Sequence, residues 1–361
     1  MYNWQQKDWP NFTFNPQIVA DADFEWLSLT GKSSGVLEII PVNEREESEL
    51  TILIKEALKN AEIEGEFISR ADLVSSIKRK LGKNTQARVI RDKRSLGMGE
   101  LIVQARKHYK KDLTEKMLFD WHKLLMKGSF GINAGHWRQH SEPMQVISGT
   151  IGKEKIHFEA PPSLRIPEEM KLFTNWFNKS IIEIKSPITR SALVHLYFES
   201  IHPFEDGNGR IGRILAEKAL SQSLGQPVLM SISAAIESRK KEYYAALKKA
   251  QKGNPVNDWI VFWGHIVLEA QKDFLNDLHL SIQKTKFFDK HKPVLNNRQL
   301  KVISKMLEVD GEFKGGMNAR KYQSITKTSK ATATRDLQDL SEKGIFQSAG
   351  GGRSTSYRLL L

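Results

Sequence analysis

Apolar residues recur at helical spacing along most of this chain. From Glu44 onward, Leu50, Ile54, Ala57, Leu58 and Ala61 form one stripe that closes at Gly65, the pattern of a helix with a glycine C-cap. Residues 71–82 predict a short amphipathic helix ending at Gly82. Leu101, Val103, Leu113, Met117, Leu118, Trp121, Leu124 and Leu125 continue the helical period, as do Leu193, Leu196, Tyr197 and Ile201. A further period runs through Ile211, Ile214, Leu215 and Ala219. Others place Tyr243, Tyr244 and Leu247, then Trp259, Phe262, Trp263, Ile266 and Ala270, on helices. Two short runs differ: residues 145–149 and 155–159 read as β-strands parted by Gly149 and Gly152 and closed by Pro161 and Pro162, as in a hairpin. The first 44 residues scatter Trp4, Trp9, Phe12, Phe14, Phe24 and Trp26 among three prolines and predict short irregular pieces or strands, with the aromatics serving packing. Lys284–Lys292 reads as a basic linker. Three helical pieces follow, the last capped by Ser329 with Ala333, Leu337 and Leu340 inward, and then two alternating strands around a run of glycines. The fold class expected is mainly α.

A length of 361 residues allows two or three domains. With 40% hydrophobic and 27% charged residues, the composition is that of a soluble globular protein. The absence of cysteine excludes disulfides and thiolate metal sites and fits a reducing compartment. No apolar run is long enough for a transmembrane helix, and the first residues lack a charged-then-apolar signal pattern, so a cytoplasmic protein without a membrane partner is expected. The formal net charge of +13 implies acidic partners: nucleotide, nucleic acid or acidic protein. Lys284–Leu361 holds 16 basic and 7 acidic residues, so most of the excess sits in the last fifth of the chain.

The densest chemistry lies in IHPFEDGNGRIGR, Ile201–Arg213. Pro203 ends one helix, because the residue before proline is driven out of the α region. The next apolar period begins at Ile211, so residues 205–209 form a loop feeding a helix N-terminus, where free N–H groups and the dipole favour an anion. Gly207 and Gly209 let backbone approach that anion. Asp206 can hold Mg²⁺, which is usually bound by one or two carboxylates plus substrate phosphates. Arg210 and Arg213 share a helix face and can clamp phosphate oxygens, and His202 can act as a base near neutral pH. No metalloprotease helix motif, Walker A loop or Ser-His-Asp signature competes with this reading.

The stretch resembles the Fic family, whose motif HxFx(D/E)GNGRxxR it matches at every fixed position. The resemblance implies transfer of AMP from ATP to a hydroxyl (Ser, Thr or Tyr) of a target protein. His202 would deprotonate the hydroxyl, Phe204 would anchor the loop, and Asp206 would bind Mg²⁺. Gly207, Asn208 and Gly209 would form the anion hole, and Arg210 and Arg213 would hold the outer phosphates. The related Doc branch carries a lysine-containing variant of GNGR and acts as a kinase; the GNGR form here favours nucleotidyl transfer. The hairpin at 145–159 is similar to the family's flap, which aligns a target segment by strand-like pairing; His157 lies on it, solvated or functional. Tyr243 and Tyr244 fall in a region that approaches the adenosine in the family.

Glu62 and Glu64 stand at the end of their helix, where the dipole disfavours negative charge by about 0.3–1 kcal/mol. A cation facing Glu64 would remove that cost. Many Fic proteins carry an inhibitory helix with (S/T)xxxE(G/N), and residues 60–65, NAEIEG, resemble it: Glu64 and Gly65 match, while Asn60 replaces Ser or Thr. The resemblance implies that Glu64 restrains the arginine clamp. The expected domains are 1–105, an N-terminal extension with the regulatory helix; 106–283, the catalytic domain; and 293–361, similar to a winged helix-turn-helix. There Lys330, Thr332, Thr334, Arg335 and Gln338 would form the exposed face of a recognition helix and Arg353 would sit on the wing, suiting duplex DNA. Winged helices also bind proteins or dimerise. Alternatives are a DNA-binding regulator with a sensing or idle core, and an enzyme of reversed direction in which Glu64 positions a water to remove AMP. A homo-oligomer is left open.

Overall fold

The computed structural model describes all residues except 84–88, 149–154, 308–312, 314, 351–354 and 361. It divides into two compact units, Met1–Leu275 and Asn276–Leu361.

The first unit is built around two helices. Helix α7 (Pro187–Ile201) starts at Ser186, whose hydroxyl accepts from the Thr189 N–H, with Pro187 in the first turn. Every residue of α7 is buried, the polar Arg190, His195 and Glu199 included, so it has no solvent-facing side. Helix α8 (Asn208–Leu224) packs along it and ends at Gly225, which is left-handed. Helices α2 (Val42–Ile63), α4 (Lys93–Lys107), α5 (Glu115–Leu125) and α6 (Ile166–Glu183) close one core around this pair, with Trp121, Phe173, Phe204 and Leu215 at its centre. Helix α3 (Arg70–Lys80) packs on α4, and α9 (Ile232–Ser238) packs on α2. Helix α10 (Lys240–Ala250) and the long α11 (Asn257–His291) complete the helical set of this part of the chain.

Strands β1 (Gln145–Ser148) and β2 (Lys155–Glu159) pair antiparallel, Gln145 opposite Glu159 and Ser148 opposite Lys155, with a register shift between Val146 and Ile147. The hairpin is as expected; its turn, with Gly149 and Gly152, lies outside the described residues.

Two expectations are corrected. The first 44 residues hold a 20-residue helix, α1 (Ala20–Ile39), in place of irregular pieces. Its prolines flank it at Pro16 and Pro41 and do not interrupt it. It shows no one-sided stripe because Trp26 and Leu37 are buried while Phe24 and Ile39 are exposed. The aromatics of the preceding segment do pack: Trp9 and Phe12 stand edge-on to Tyr197 of α7. Second, Lys284–Lys292 is no linker, since α11 continues to His291 and no helix breaker occurs before Pro293.

The second unit contains α12 (Asn297–Leu307), α13 (Ala319–Thr326) and α14 (Lys330–Glu342), followed by the antiparallel pair β3 (Phe346–Ala349) and β4 (Ser356–Leu359). Phe287, Val302, Ile303, Tyr322, Ala333, Leu337 and Leu340 form its core. Ser329 caps α14 by accepting from the Thr332 N–H. Buried Asp336 accepts from Arg298 at 2.7 and 3.0 Å and from the Tyr322 hydroxyl at 2.8 Å, tying α12, α13 and α14 together. Lys330, Arg335 and Gln338 are exposed on α14, whereas Thr332 and Thr334 are half-buried. Arg353 lies outside the described residues.

Candidate active site

Helix α7 stops where Pro203 forbids another turn, and His202 takes a left-handed conformation there (φ 51°). Arg138 holds that corner by donating to the His202 carbonyl at 2.7 Å. Phe204 then enters the core and stacks on His122, ring centres 4.0 Å apart. The His122 Nδ1 accepts from the Gly135 N–H, so its proton is on Nε2, which donates to the Asp206 carbonyl at 3.1 Å. Burial pushes His122 down to about 4, consistent with a neutral ring serving as a fixed strut.

Asn208 closes the loop. Its amide donates to the Phe204 carbonyl and accepts from the Phe204 N–H, both at 2.9 Å. Its side chain is therefore committed, and only its backbone N–H, in the first turn of α8, is left to face an anion. Gly207 is left-handed (φ 83°), and a Cβ there would stand 2.7 Å from Met126. A Cβ on Gly209 would collide with Glu64 Oε1. Glu64 thus occupies the space over the α8 N-terminus where an anion would sit.

Glu64 follows α2 as its C-cap and precedes left-handed Gly65 (φ 78°). Its Oε1 pairs with Arg213 Nη2 at 2.8 Å. Asn60 completes the clamp: its Oδ1 accepts from Arg213 Nε at 2.8 Å, its carbonyl accepts from Nη2 at 3.0 Å, and its amide donates to the Arg210 carbonyl at 3.2 Å. Burial disfavours the Arg213 charge most strongly of any one influence, but Glu64, together with Tyr243 and Tyr244, holds the guanidinium above its ordinary value. Arg210 has two acids: Glu66 Oε2 at 2.8 Å and Asp206 Oδ1 at 3.0 Å. Glu66 escapes sequence reasoning; the only signal was a second glutamate directly after the glycine cap.

His202 faces the same space. Burial, with the charge of Arg138, pushes it down to about 4, so the imidazole is neutral at physiological pH and can accept a proton. Asp206 is half exposed, and its Oδ1 also accepts from the Gly207 N–H at 2.6 Å. Among the described residues no group of three or more His, Cys, Asp or Glu is arranged to hold a metal. Asp206 alone fits an ion whose remaining ligands are phosphate oxygens and water.

A cleft of about 600 Å³ joins these parts. His202, Asp206, Gly207, Asn208, Gly209 and Glu64 line one side, the hairpin residues Gln145, Val146, His157 and Phe158 another, and Tyr243, Tyr244 and Lys248 of α10 a third. Lys248 Nζ lies 3.3 Å from His157 Nδ1. Arg210 and Arg213 are buried behind the anion turn. The two tyrosines separate in role. The Tyr243 hydroxyl is bonded to buried His195 Nε2 at 2.8 Å, whereas the Tyr244 hydroxyl reaches Glu64 Oε2 at 3.5 Å.

Residues 112–220 match the Fic/DOC family, and residues 2–83 match a domain of unknown function, DUF4172. The chain is similar to a probable protein adenylyltransferase of Aquifex aeolicus, 32% identical over 43% of each chain. It is also similar to the protein adenylyltransferase fic-1 of Caenorhabditis elegans, 33% identical over 25% of this chain and 16% of that one. The chain thus spans less than half the length of these curated relatives. Its fold resembles a Fic family protein from Desulfovibrio desulfuricans G20, with a TM-score of 0.55, 20% identity and coverage of 97% and 98% of the two chains. It also resembles Fic-1 of C. elegans, with a TM-score of 0.52, 18% identity and coverage of 74% and 75%. The complete HxFx(D/E)GNGRxxR stretch around a helix N-terminus lies inside the residues, 112–220, that match the Fic/DOC family.

Proposed function

We propose that this protein is a protein adenylyltransferase that moves AMP from ATP to a hydroxyl of a target protein. The observation that carries the reading is the convergence on one cleft of a neutral histidine, a helix N-terminus opened by two glycines, and an edge-bearing hairpin. The N–H groups at the start of α8 hold phosphate oxygens; Arg210 and Arg213 join them once free of Glu66 and Glu64. Asp206 holds Mg²⁺, which neutralises phosphate charge when bound. A target segment pairs with the hairpin edge and presents its hydroxyl. The His202 imidazole takes the hydroxyl proton, the oxygen attacks the α-phosphorus, and pyrophosphate leaves. Tyr244, and the ring face of Tyr243, border the adenosine.

In this reading the state described is a restrained one, with Glu64 on Arg213 and Glu66 on Arg210. The test is AMP incorporation from labelled ATP into lysate proteins and into the protein itself. His202→Ala should lower transfer by about 10²–10⁴-fold while ATP binding survives, since the phosphate contacts lie elsewhere. Transfer near the parent rate would remove His202 from the mechanism. Loss of labelled AMP from a modified target, with no incorporation, would favour the reverse reaction at the same site.

We also propose that the second unit is a winged helix-turn-helix that binds duplex DNA. Support comes from its three helices and hairpin, from exposed Lys330, Arg335 and Gln338 along α14, and from the 16 basic residues of Lys284–Leu361.

A further inference from the structure

Among the buried polar atoms beside the cleft that lack a well-formed hydrogen bond are Glu199 Oε1 and His202 Nδ1, the latter facing the Glu199 backbone carbonyl. They belong to residues three apart at the end of α7, one helical turn, and the other Glu199 oxygen, Oε2, lies 3.8 Å from His202 Nδ1. The carboxyl is enclosed, its side chain 7% exposed. The opposite helix makes room for it. A Cβ on Gly212 of α8 would stand 2.7 Å from Glu199 Oε1 and 3.1 Å from His195 Nδ1. Glycine inside a helix is less favourable than alanine, and this one makes room for the Glu199 carboxyl and the His195 ring. A buried carboxyl with an unsatisfied oxygen is itself expensive.

We infer that Glu199 is the positioning residue of His202, accepting a hydrogen bond from Nδ1–H so that the Nε2 lone pair faces the target hydroxyl. The inference rests on the proposed AMP transfer. The gap of 3.8 Å exceeds a hydrogen bond, but catalytic hydrogen bonds are often long in the free enzyme and tighten in the complex. When Nε2 takes the hydroxyl proton and the oxygen bonds to the α-phosphorus as pyrophosphate leaves, the imidazolium keeps both protons. Glu199 then meets its charge through Nδ1–H and takes no proton itself.

Glu199 is also tied to the restraint. Burial, and then the Glu64 carboxylate, push its carboxyl up to about 8, against the pull of Arg213. The other groups facing the pair are Tyr243 and Tyr244 from α10, His195 from α7, Asp206 from the loop and Arg138 behind His202. With Glu64 in place the carboxyl is largely protonated near neutral pH. Removing the Glu64 charge takes away one of the two influences that keep it so, and the ionised form is the one that supports an imidazolium. Displacing Glu64 thus frees Arg213 and arms His202 together.

The test compares Glu64→Gly with Glu64→Gly/Glu199→Gln and Glu64→Gly/Glu199→Asp. In the Gln variant kcat should fall by about 10–10²-fold, while KM for ATP changes by less than about threefold, because an orienting carboxylate acts on the base and not on the phosphates. The rise of kcat with pH caused by Glu199 ionisation should vanish, and Asp should restore part of the rate. A higher KM for ATP with unchanged kcat would overturn the inference, showing that Glu199 only supports Arg213. A second readout needs no catalysis and no altered Glu199. In histidine-labelled Glu64→Gly protein, the ring-nitrogen signals of His202, assigned by their loss in Glu64→Gly/His202→Ala, should show the Nδ1–H tautomer. An Nε2–H tautomer would overturn the inference even if the protein transfers no AMP, whereas Nδ1–H in a protein without transfer would count against the proposed activity alone.

Discussion

Glu64→Gly should turn this protein on, and the structure sets the size of the effect. Arg213 is fully enclosed, and its Glu64 partner is 30% exposed. Exposed pairs contribute about 0–1 kcal/mol, and breaking a buried pair from one side costs about 3–5 kcal/mol. A pair with one buried and one partly exposed member falls between, at about 2 kcal/mol, or roughly 30-fold in the fraction of Arg213 free for phosphate. Removing Glu64 leaves the arginine posed, because Asn60 still accepts from its Nε and Nη2. It also empties the space above Gly209, so the α8 N–H groups become reachable. Glu66 remains on Arg210 at 2.8 Å, so release is incomplete in the single variant and Glu64→Gly/Glu66→Gln should gain a further increment. The assay is AMP incorporation from labelled ATP, with self-modification as the first readout, for parent, single and double variants side by side. Arg213→Ala in the Glu64→Gly background should return incorporation to the parent level. Equal, low incorporation in parent and Glu64→Gly would refute Glu64 as the restraint, and a gain that survives Arg213→Ala would show that Arg213 is not what it holds.

Asp206→Ala should reduce Mg²⁺-dependent turnover in the Glu64→Gly background; turnover unchanged by the substitution and by EDTA would exclude Asp206 as a metal ligand. Burial, then neighbouring Glu56, push Glu217 up to about 8. The fold therefore keeps a proton that the unfolded chain loses near 4.5, and stability falls as pH rises from there to about 8. The buried histidines oppose this trend only below their unfolded value of 6.5. The melting temperature should thus drop between about pH 6.5 and 8, and less so in Glu217→Gln; identical profiles would refute the assignment. The full chain should bind duplex DNA with an affinity that falls steeply with salt, and Arg335→Glu should weaken it; no binding at low salt would leave the second unit as a protein-contact module.

What could be read from the sequence was what is local in it. The turn from His202 to Arg213 lies between two apolar periods, so its histidine, glycines and arginines could be placed on one helix N-terminus without coordinates. Glu64 was legible for a different reason: an acid at the wrong end of a helix calls for a cation. The β-hairpin and Ser329 were likewise signalled by alternation and capping chemistry. Helix α1 was not, because its buried Trp26 and exposed Phe24 spread apolar residues around its circumference. The inward hydroxyl of Tyr243 was also hidden, since its partner His195 lies 48 residues away on another helix.

The same limit explains why the glycines near the site misled in opposite directions. Gly207 and Gly209 read as room for an anion, but the place of the missing Gly207 Cβ faces Met126 and Leu125 of the core. The group now fitted against Gly209 is the protein's own Glu64 carboxylate, so the shape that admits a phosphate also admits its competitor. Gly212 carried no signal at all. It sits inside a helix where alanine would be favoured by about 0.5–1 kcal/mol, and nothing within its own helix accounts for it. What fills its place is the Glu199 carboxyl on α7, held one turn before His202, together with the ring of His195. A glycine's meaning at such a site is set by the side chain that fills the missing methyl's place, and that side chain comes from another element. In the proposed mechanism both carboxylates, Glu64 and Glu199, bear on the same two centres, Arg213 and His202. In that mechanism the control of this cleft rests on where two glutamates stand as much as on the residues of the motif itself.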